Sequence, residues 1–156
     1  MSMNLKEKGF TILEVLIGVV ILGIGLLGLI EMQVAAVTGN TSANLMSVAT
    51  TLAQDQIEKL RNLSFTDPNL ADIVANNATL GNPPNIASID HADPNNPIDD
   101  SGGTTGLRRY LRFWNIADNT PITGVKTVVV FVYWGTVNGS TGLTQHRVMI
   151  PTTQQP

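Results

Sequence analysis

From Phe10 to Ile30 the chain is an unbroken apolar run of 21 residues with one charge in it, Glu14. A helix of that length rises about 1.5 Å per residue and spans roughly 30 Å, the thickness of bilayer hydrocarbon. Beyond it the pattern changes. Ala49, Leu52, Ala53, Ile57, Leu60 and Leu63 recur at three- and four-residue spacing, the stripe of a half-exposed helix. No proline falls between Phe10 and Asp67, and Pro68 supplies a stop. The pattern predicts one helix over residues 10–63, about 80 Å long, whose residues 10–30 cross a membrane. Gly39, Asn40, Thr41 and Ser42 interrupt good helix formers, so a bend is expected there. Asp55 and Lys59 stand four apart, the spacing of a favourable ion pair on the polar side.

Residues 64–106 lose this periodicity. They hold seven asparagines, six aspartates, five prolines and four glycines, with no lysine or arginine. They read as a loop region, with at most a turn of helix at "NLADIVANN". The last third reads as strands: "LRRYLRFWNI" (107–116), "KTVVVFVYW" (126–134) and "TQHRVMI" (144–150) are rich in β-branched and aromatic residues. Asn119-Thr120-Pro121 and Asn138-Gly139-Ser140 part them with turn chemistry, the second a hairpin signal. The middle segment is apolar on both faces and belongs at the centre of a sheet. The predicted fold class is α+β: a long N-terminal helix whose second half packs on a C-terminal antiparallel sheet of three or four strands over 107–156. The sheet's other face is expected to lie partly on the acidic loop.

Composition narrows the function. The chain has 156 residues, a net charge of −3 and no cysteine. There is no disulfide framework or thiolate metal site, and no basic excess for nucleic acid. Arg108, Arg109, Arg112 and Arg147 could form a patch, but nucleic acid is not an expected partner. Attraction between the arginine-bearing strands and the aspartate-rich loop is expected to be screened by solvent. Asp90, Asp93, Asn95, Asp99 and Asp100 in "DHADPNNPIDD" offer hard oxygen ligands for calcium. Their spacing is not that of an EF-hand, and the prolines favour a plain solvated loop, with His91 a bystander. His91 and His146 are the only histidines and stand in no nucleophile motif, and Gly102-Gly103 lacks the lysine of a phosphate loop. No catalytic residue, metal site or cofactor is expected.

The N-terminal stub carries Lys6, Glu7 and Lys8, and positive residues stay on the cytoplasmic side, so everything after Ile30 faces outward. A cleaved secretory signal has a shorter apolar core, although Ala35 and Ala36 offer a passable exit site. A plain signal-anchor gives no reason for the order Gly9, Phe10, Thr11, Glu14. That order, in "KGFTILEVLIGVVILGIGLLGLIEMQ", resembles the class III leader of type IV prepilins and type II secretion pseudopilins. The resemblance implies that a prepilin peptidase removes residues 1–9 by cutting between Gly9 and Phe10 and then N-methylates Phe10. It also implies that Glu14 serves subunit assembly. The stretch "ATTLAQDQIEKLRNL" (49–63) looks most like PilV-type minor pilins and less like minor pseudopilins. By physics alone it is an amphipathic helix that docks on a sheet.

Glu14 also has a reading of its own. An ionised carboxylate in hydrocarbon costs at least a few kcal/mol and needs a partner. After cleavage the chain would begin with a cationic amine on Phe10, so in a staggered stack Glu14 of one chain would neutralise the amine of its neighbour. The competing reading has Glu14 snorkel to the membrane face and pair with nothing. Gly18, Gly25 and Gly28 lie on one arc suited to close helix contact, and Gly23-Ile24-Gly25 is a soft spot. The expected partners are major and minor pilin subunits, the prepilin peptidase, the inner-membrane pilus assembly machinery and, before assembly, lipid. The expected location is the bacterial inner membrane, then the periplasm or a surface pilus. The expected role is assembly or modification of a type IV pilus. The alternatives are a type II secretion pseudopilin and a single-pass anchored binding module that never polymerises.

Overall fold

The computed structural model describes residues 9–74, 80–81, 88–135 and 146–156. One helix, α1, runs Ile12–Arg61, two residues shorter at each end than the apolar pattern predicts. It starts late because Thr11 caps it, and it ends at Arg61 with Asn62 still bonded back to Glu58 and Lys59 carbonyls. Residues 39–42 stay helical. The hydroxyls of Thr38 and Thr41 donate to the carbonyls of Val34 and Val37, so these poor helix formers bond to the helix rather than interrupting it.

The chain divides into two units, residues 1–42 and 43–156. In the first, every described residue is exposed. By length and composition α1 is apolar enough to cross a membrane, and none of its apolar window is buried within the chain.

The second unit is the head. Past a 3-10 turn at Pro68–Leu70, capped by Asp67, come four antiparallel strands. They are β1 (His91–Ala92), β2 (Tyr110–Asp118), β3 (Lys126–Trp134) and β4 (His146–Gln154), lying in the order β1-β2-β3-β4. Strand β3 is central and buried along nearly its whole length, as its two apolar faces predict. On one face Tyr110, Trp114, Ile116, Val128, Val130 and Val132 meet Ala49, Leu52, Ala53, Ile57 and Leu60 of α1. On the other, Phe113, Val129, Phe131 and Tyr133 are covered by Ile89 and Leu80 of the loop region. The hairpin signal at Asn138-Gly139-Ser140 and the side chain of His146 lie outside the described residues. So does most of "NLADIVANN" beyond Val74; within its described part, helical geometry is confined to the turn at Pro68–Leu70.

Register fixes which backbone groups point out of the sheet. Tyr110 exchanges both bonds with Ile98, at 2.8 and 3.1 Å, and the Arg112 carbonyl accepts from Asp93 N–H at 3.0 Å. The even residues of β2 therefore turn their backbone groups toward β1 and the odd ones toward β3. Carried through the pairings of β2 with β3 and β3 with β4, this turns the odd residues of β4 outward: Arg147, Met149, Pro151 and Thr153. Pro151 thus removes a donor from the open edge and none from the ladder, a common way of blunting an edge strand.

The aspartate-rich loop is not the solvated loop its composition predicts. Asp90, Asp93 and Asp99 are all buried. Asp90 accepts N–H bonds from Ile73 (3.1 Å), Val74 (2.7 Å) and Ile116 (2.7 Å), tying the loop to β2. Asp99 accepts from the Ser101 hydroxyl at 2.6 Å and from the N–H groups of Ser101, Gly103 and Gly106 at 2.7–3.0 Å. These donors, the Ser101 hydroxyl foremost, hold its carboxyl well below the usual carboxylate range. A Cβ at Gly106 would stand 3.1 Å from Asp99 Oδ2, so a larger residue there would push the Asp99 carboxylate by a few tenths of an ångström.

Asp93 pairs with Arg112 inside the head, so the attraction expected to be screened acts at its core in a dry setting. The oxygens proposed above as calcium ligands are instead engaged by protein donors at Asp90, Asp93 and Asp99. Asp100 stands 3.6 Å from Arg109 on the surface, a pair worth little. His91 is no bystander: it stacks on Trp114 at 5.4 Å and its Nε2 donates to the Ala71 carbonyl at 2.8 Å.

Candidate processing and assembly site

Thr11 sets the geometry at the N-terminal end. Its carbonyl accepts from Glu14 N–H (3.1 Å) and Val15 N–H (3.2 Å), and its hydroxyl accepts from Glu14 N–H at 3.3 Å. Thr-x-x-Glu before an apolar run is the signature of a capped helix start, and it stands in the sequence as Thr11 to Glu14. The pattern-based prediction missed it because the apolar run begins one residue earlier, at Phe10.

Two consequences follow. Gly9 and Phe10 lie outside the helix and are exposed, Phe10 at 82%. The bond between them therefore sits in open backbone, the form a protease can thread. A cut there leaves Thr11 in the mature chain, so the helix keeps its cap. Among the described residues, nothing lies within 4 Å of where a side chain at Gly9 would start.

Glu14 sits in the first turn of α1, where the helix dipole favours a negative charge by about 0.3–1 kcal/mol. That is less than the few kcal/mol a carboxylate costs in hydrocarbon, so the dipole alone does not account for the residue. Among the described residues no side chain pairs with it. Gly18, Gly23, Gly25 and Gly28 are all helical with open space beside them, available to another helix. Ala35 and Ala36, the alternative exit site, lie inside α1.

The family model described as "Prokaryotic N-terminal methylation motif" matches residues 4–30. The chain carries a class III prepilin leader. The match includes Gly9, Phe10, Thr11 and Glu14, and it stops at Ile30, so it says nothing of the head. No curated protein and no solved structure matches the chain. The leader points to a structural protein of type IV pilin or pseudopilin kind and implies processing by a prepilin peptidase and assembly with other pilins. With the apolar helix it points to anchoring in the inner membrane before assembly. A long apolar helix packed on a four-stranded antiparallel sheet is also a pilin-like architecture.

Three of the four arginines considered above are held by groups of the head. Arg112 is buried against Asp93, Arg108 donates to the Pro97 carbonyl at 2.8 Å, and Arg109 faces Asp100. The ion pair expected between Asp55 and Lys59 does not form: the described ion pairs are Arg109–Asp100, Arg112–Asp93 and Lys126–Asp118.

Proposed function

We propose that this chain is a minor pilin of PilV type: prepilin peptidase cuts it between Gly9 and Phe10, Phe10 is methylated, and the subunit joins a type IV pilus. The observation that carries the reading is the leader placed on α1, with its cleavage bond in open chain just before the Thr11 cap and a carboxylate in the first turn. The "LAQ…E…LR" run of residues 52–61 and the absence of cysteine favour a minor subunit over a major one. In assembly, Glu14 of one subunit neutralises the terminal amine of the next. This fixes their stagger, because any other offset leaves two charges unpaired in a dry setting. The head faces the periplasm until the subunit leaves the membrane.

The test is deletion of the gene beside deletion of the prepilin peptidase. The reading expects a precursor that accumulates without the peptidase and a mature form in sheared surface filaments when it is present. Loss of secreted enzymes with normal pili would replace it with the pseudopilin reading. A processed chain that stays in the membrane fraction while filaments form normally would leave only an anchored binding module.

A further inference from the structure

The end of β2 and the start of β3 hold an amine against a carboxyl. Asp118 and Lys126 are cross-strand partners in the last pair of that ladder, and Lys126 Nζ stands 2.5 Å from Asp118 Oδ1. Lys126 is buried, and its Nζ also donates to the Leu70 carbonyl at 2.9 Å. The centre of the Phe65 ring lies 5.1 Å from the same nitrogen. A carbonyl and an aromatic face therefore fix this amine on its carboxyl, where a surface lysine would move freely.

A second carboxyl reaches the pair. Asp72 Oδ2 accepts from the Asp118 N–H at 3.4 Å, and Asp72 Oδ1 is buried with no hydrogen-bond partner among the described residues. An ionised carboxylate oxygen can only accept, so one left without a donor has its full capacity to take a proton. The Asp118 side chain is 46% exposed, which leaves its far side open to water. Amine, carboxyl, a second acid and an exit for water thus stand together at one end of the hairpin.

We propose that Lys126 and Asp118 condense into an isopeptide bond that closes the turn of residues 119–125. A proton passes from the Lys126 ammonium to the Asp118 carboxylate, and the neutral amine attacks Asp118 Cγ. Asp72 takes a proton from the nitrogen of the tetrahedral intermediate and delivers it to the departing hydroxyl. The N–Cγ bond forms, one Cγ–O bond breaks, one water leaves on the exposed side of Asp118, and Asp72 ends as it began. Between free solutes in water this condensation is unfavourable, but groups held in contact and aligned reach effective molarities of about 10⁵ M or more. The bond gives a head without cysteine a covalent staple between its two inner strands. It is independent of the filament reading above.

Trypsin digestion and mass spectrometry of the purified full chain test this, because trypsin does not cut after an acylated lysine. Between Arg112 and Arg147 the only other cutting point is Lys126. The expected product is peptide 113–147 in one piece, lighter by one water, with fragment ions joining Asp118 to Lys126. Lys126→Arg should keep the ion pair and lose the bond, and Asp118→Ala should lose both. Asp72→Asn should slow bond formation at least tenfold in a pulse-chase after induction, and Asp72→Glu should restore it, which a packing role for Asp72 would not do. Complete cutting of the wild-type chain into 113–126 and 127–147 at full mass would overturn the proposal. So would a water loss that persists in Lys126→Arg, since that would mark a cyclised aspartate or asparagine. An Asp72→Asn chain that links at the wild-type rate would overturn the proton transfer through Asp72.

Discussion

Arg112 and Asp93 form a two-bond ion pair inside the head, with their side chains 4% and 5% exposed, and the same guanidinium donates to the Leu52 carbonyl of α1 at 3.3 Å. Three elements meet at this one cation: the loop, strand β2 and the helix. Asp93 is held in turn by the Asn95 N–H at 2.9 Å, and the Asn96 side chain brackets the backbone of Arg112 with bonds of 2.7 and 2.8 Å.

Removing one partner of a buried pair leaves a bare charge, at a cost of about 3–5 kcal/mol. Arg112→Leu and Asp93→Leu should each destabilise the head by that order, and the double variant should lose less than the sum. Both tryptophans, Trp114 and Trp134, sit in the core and report unfolding by fluorescence. Denaturant titration of the detergent-solubilised chain gives the coupling directly. Additive losses would mean that the pair is incidental.

A second consequence concerns acid. The carboxyl of Asp99 is held below its unfolded value, chiefly by the Ser101 hydroxyl and then by the N–H of Gly106. Around the unfolded value, near about 4, the unfolded chain therefore binds more protons than the folded one. The stabilisation is complete above that value and is lost as pH falls from it toward the lower folded value. Urea midpoints should be flat in this respect between about pH 5 and 7 and drop below about pH 4. Asp99→Asn should lower the neutral plateau and make the acid limb shallower. An unchanged acid limb would refute the assignment.

Pro151 makes a parity prediction. It faces the open edge of β4, whereas Ile150 turns its N–H to β3. Pro151→Thr should leave stability within about 0.5 kcal/mol while raising self-association of the solubilised chain, because it restores an outward donor. Ile150→Pro should instead break the ladder, costing on the order of 1–3 kcal/mol for the orphaned carbonyl alone. Light scattering and denaturant titration separate the two. Equal behaviour of the variants would show the register to be misassigned.

These relationships mark where sequence stops being informative. The helix, the three long strands and the central place of β3 are written in local periodicity, because each depends on which residues repeat along one face. The roles of the aspartates are not local. Asp90 takes donors 16, 17 and 26 residues away, and Asp93 finds Arg112 19 residues on. Composition showed acids in a loop but could not show which of them the fold would bury. Lys59 failed to pair with Asp55 for a similar reason: helical spacing permits that pair, and nothing in spacing requires it. At the N-terminus the opposite holds. The Thr11–Glu14 cap was legible, but it was hidden beneath an apolar run that begins at Phe10.

Cleavage is the most direct expectation. The mature chain should begin at Phe10, losing Lys6, Glu7 and Lys8. Gly9 lies outside α1 with none of the described residues packed against it, so Gly9→Leu should leave helix content and membrane insertion unchanged while the precursor accumulates. N-terminal sequencing and intact mass decide both points. A mature terminus at any other residue, or normal processing of the Gly9 variant, would refute them.

The sharpest case is Glu14. Two roles are open to a carboxylate in the first turn of this helix: a favourable charge near its own helix terminus, or the counter-ion of a neighbour's amine. They differ in size and in place. The first is worth under about 1 kcal/mol and acts within one chain, so losing it would loosen the start of α1 slightly. The second is worth a few kcal/mol and exists only in the filament, because the amine it answers belongs to another subunit. Glu14→Gln separates them, since it keeps the shape and the capping spacing from Thr11 and discards only the charge. Membrane insertion should be spared or eased, because hydrocarbon disfavours carboxylates. The amount in sheared filaments should fall by at least tenfold relative to the membrane pool, in cells that keep the major pilin, if about 1.4 kcal/mol or more of the pairing is lost. A variant that enters filaments at the wild-type level would leave Glu14 as a residue that merely snorkels to the membrane face, and the stagger would then have to be set elsewhere.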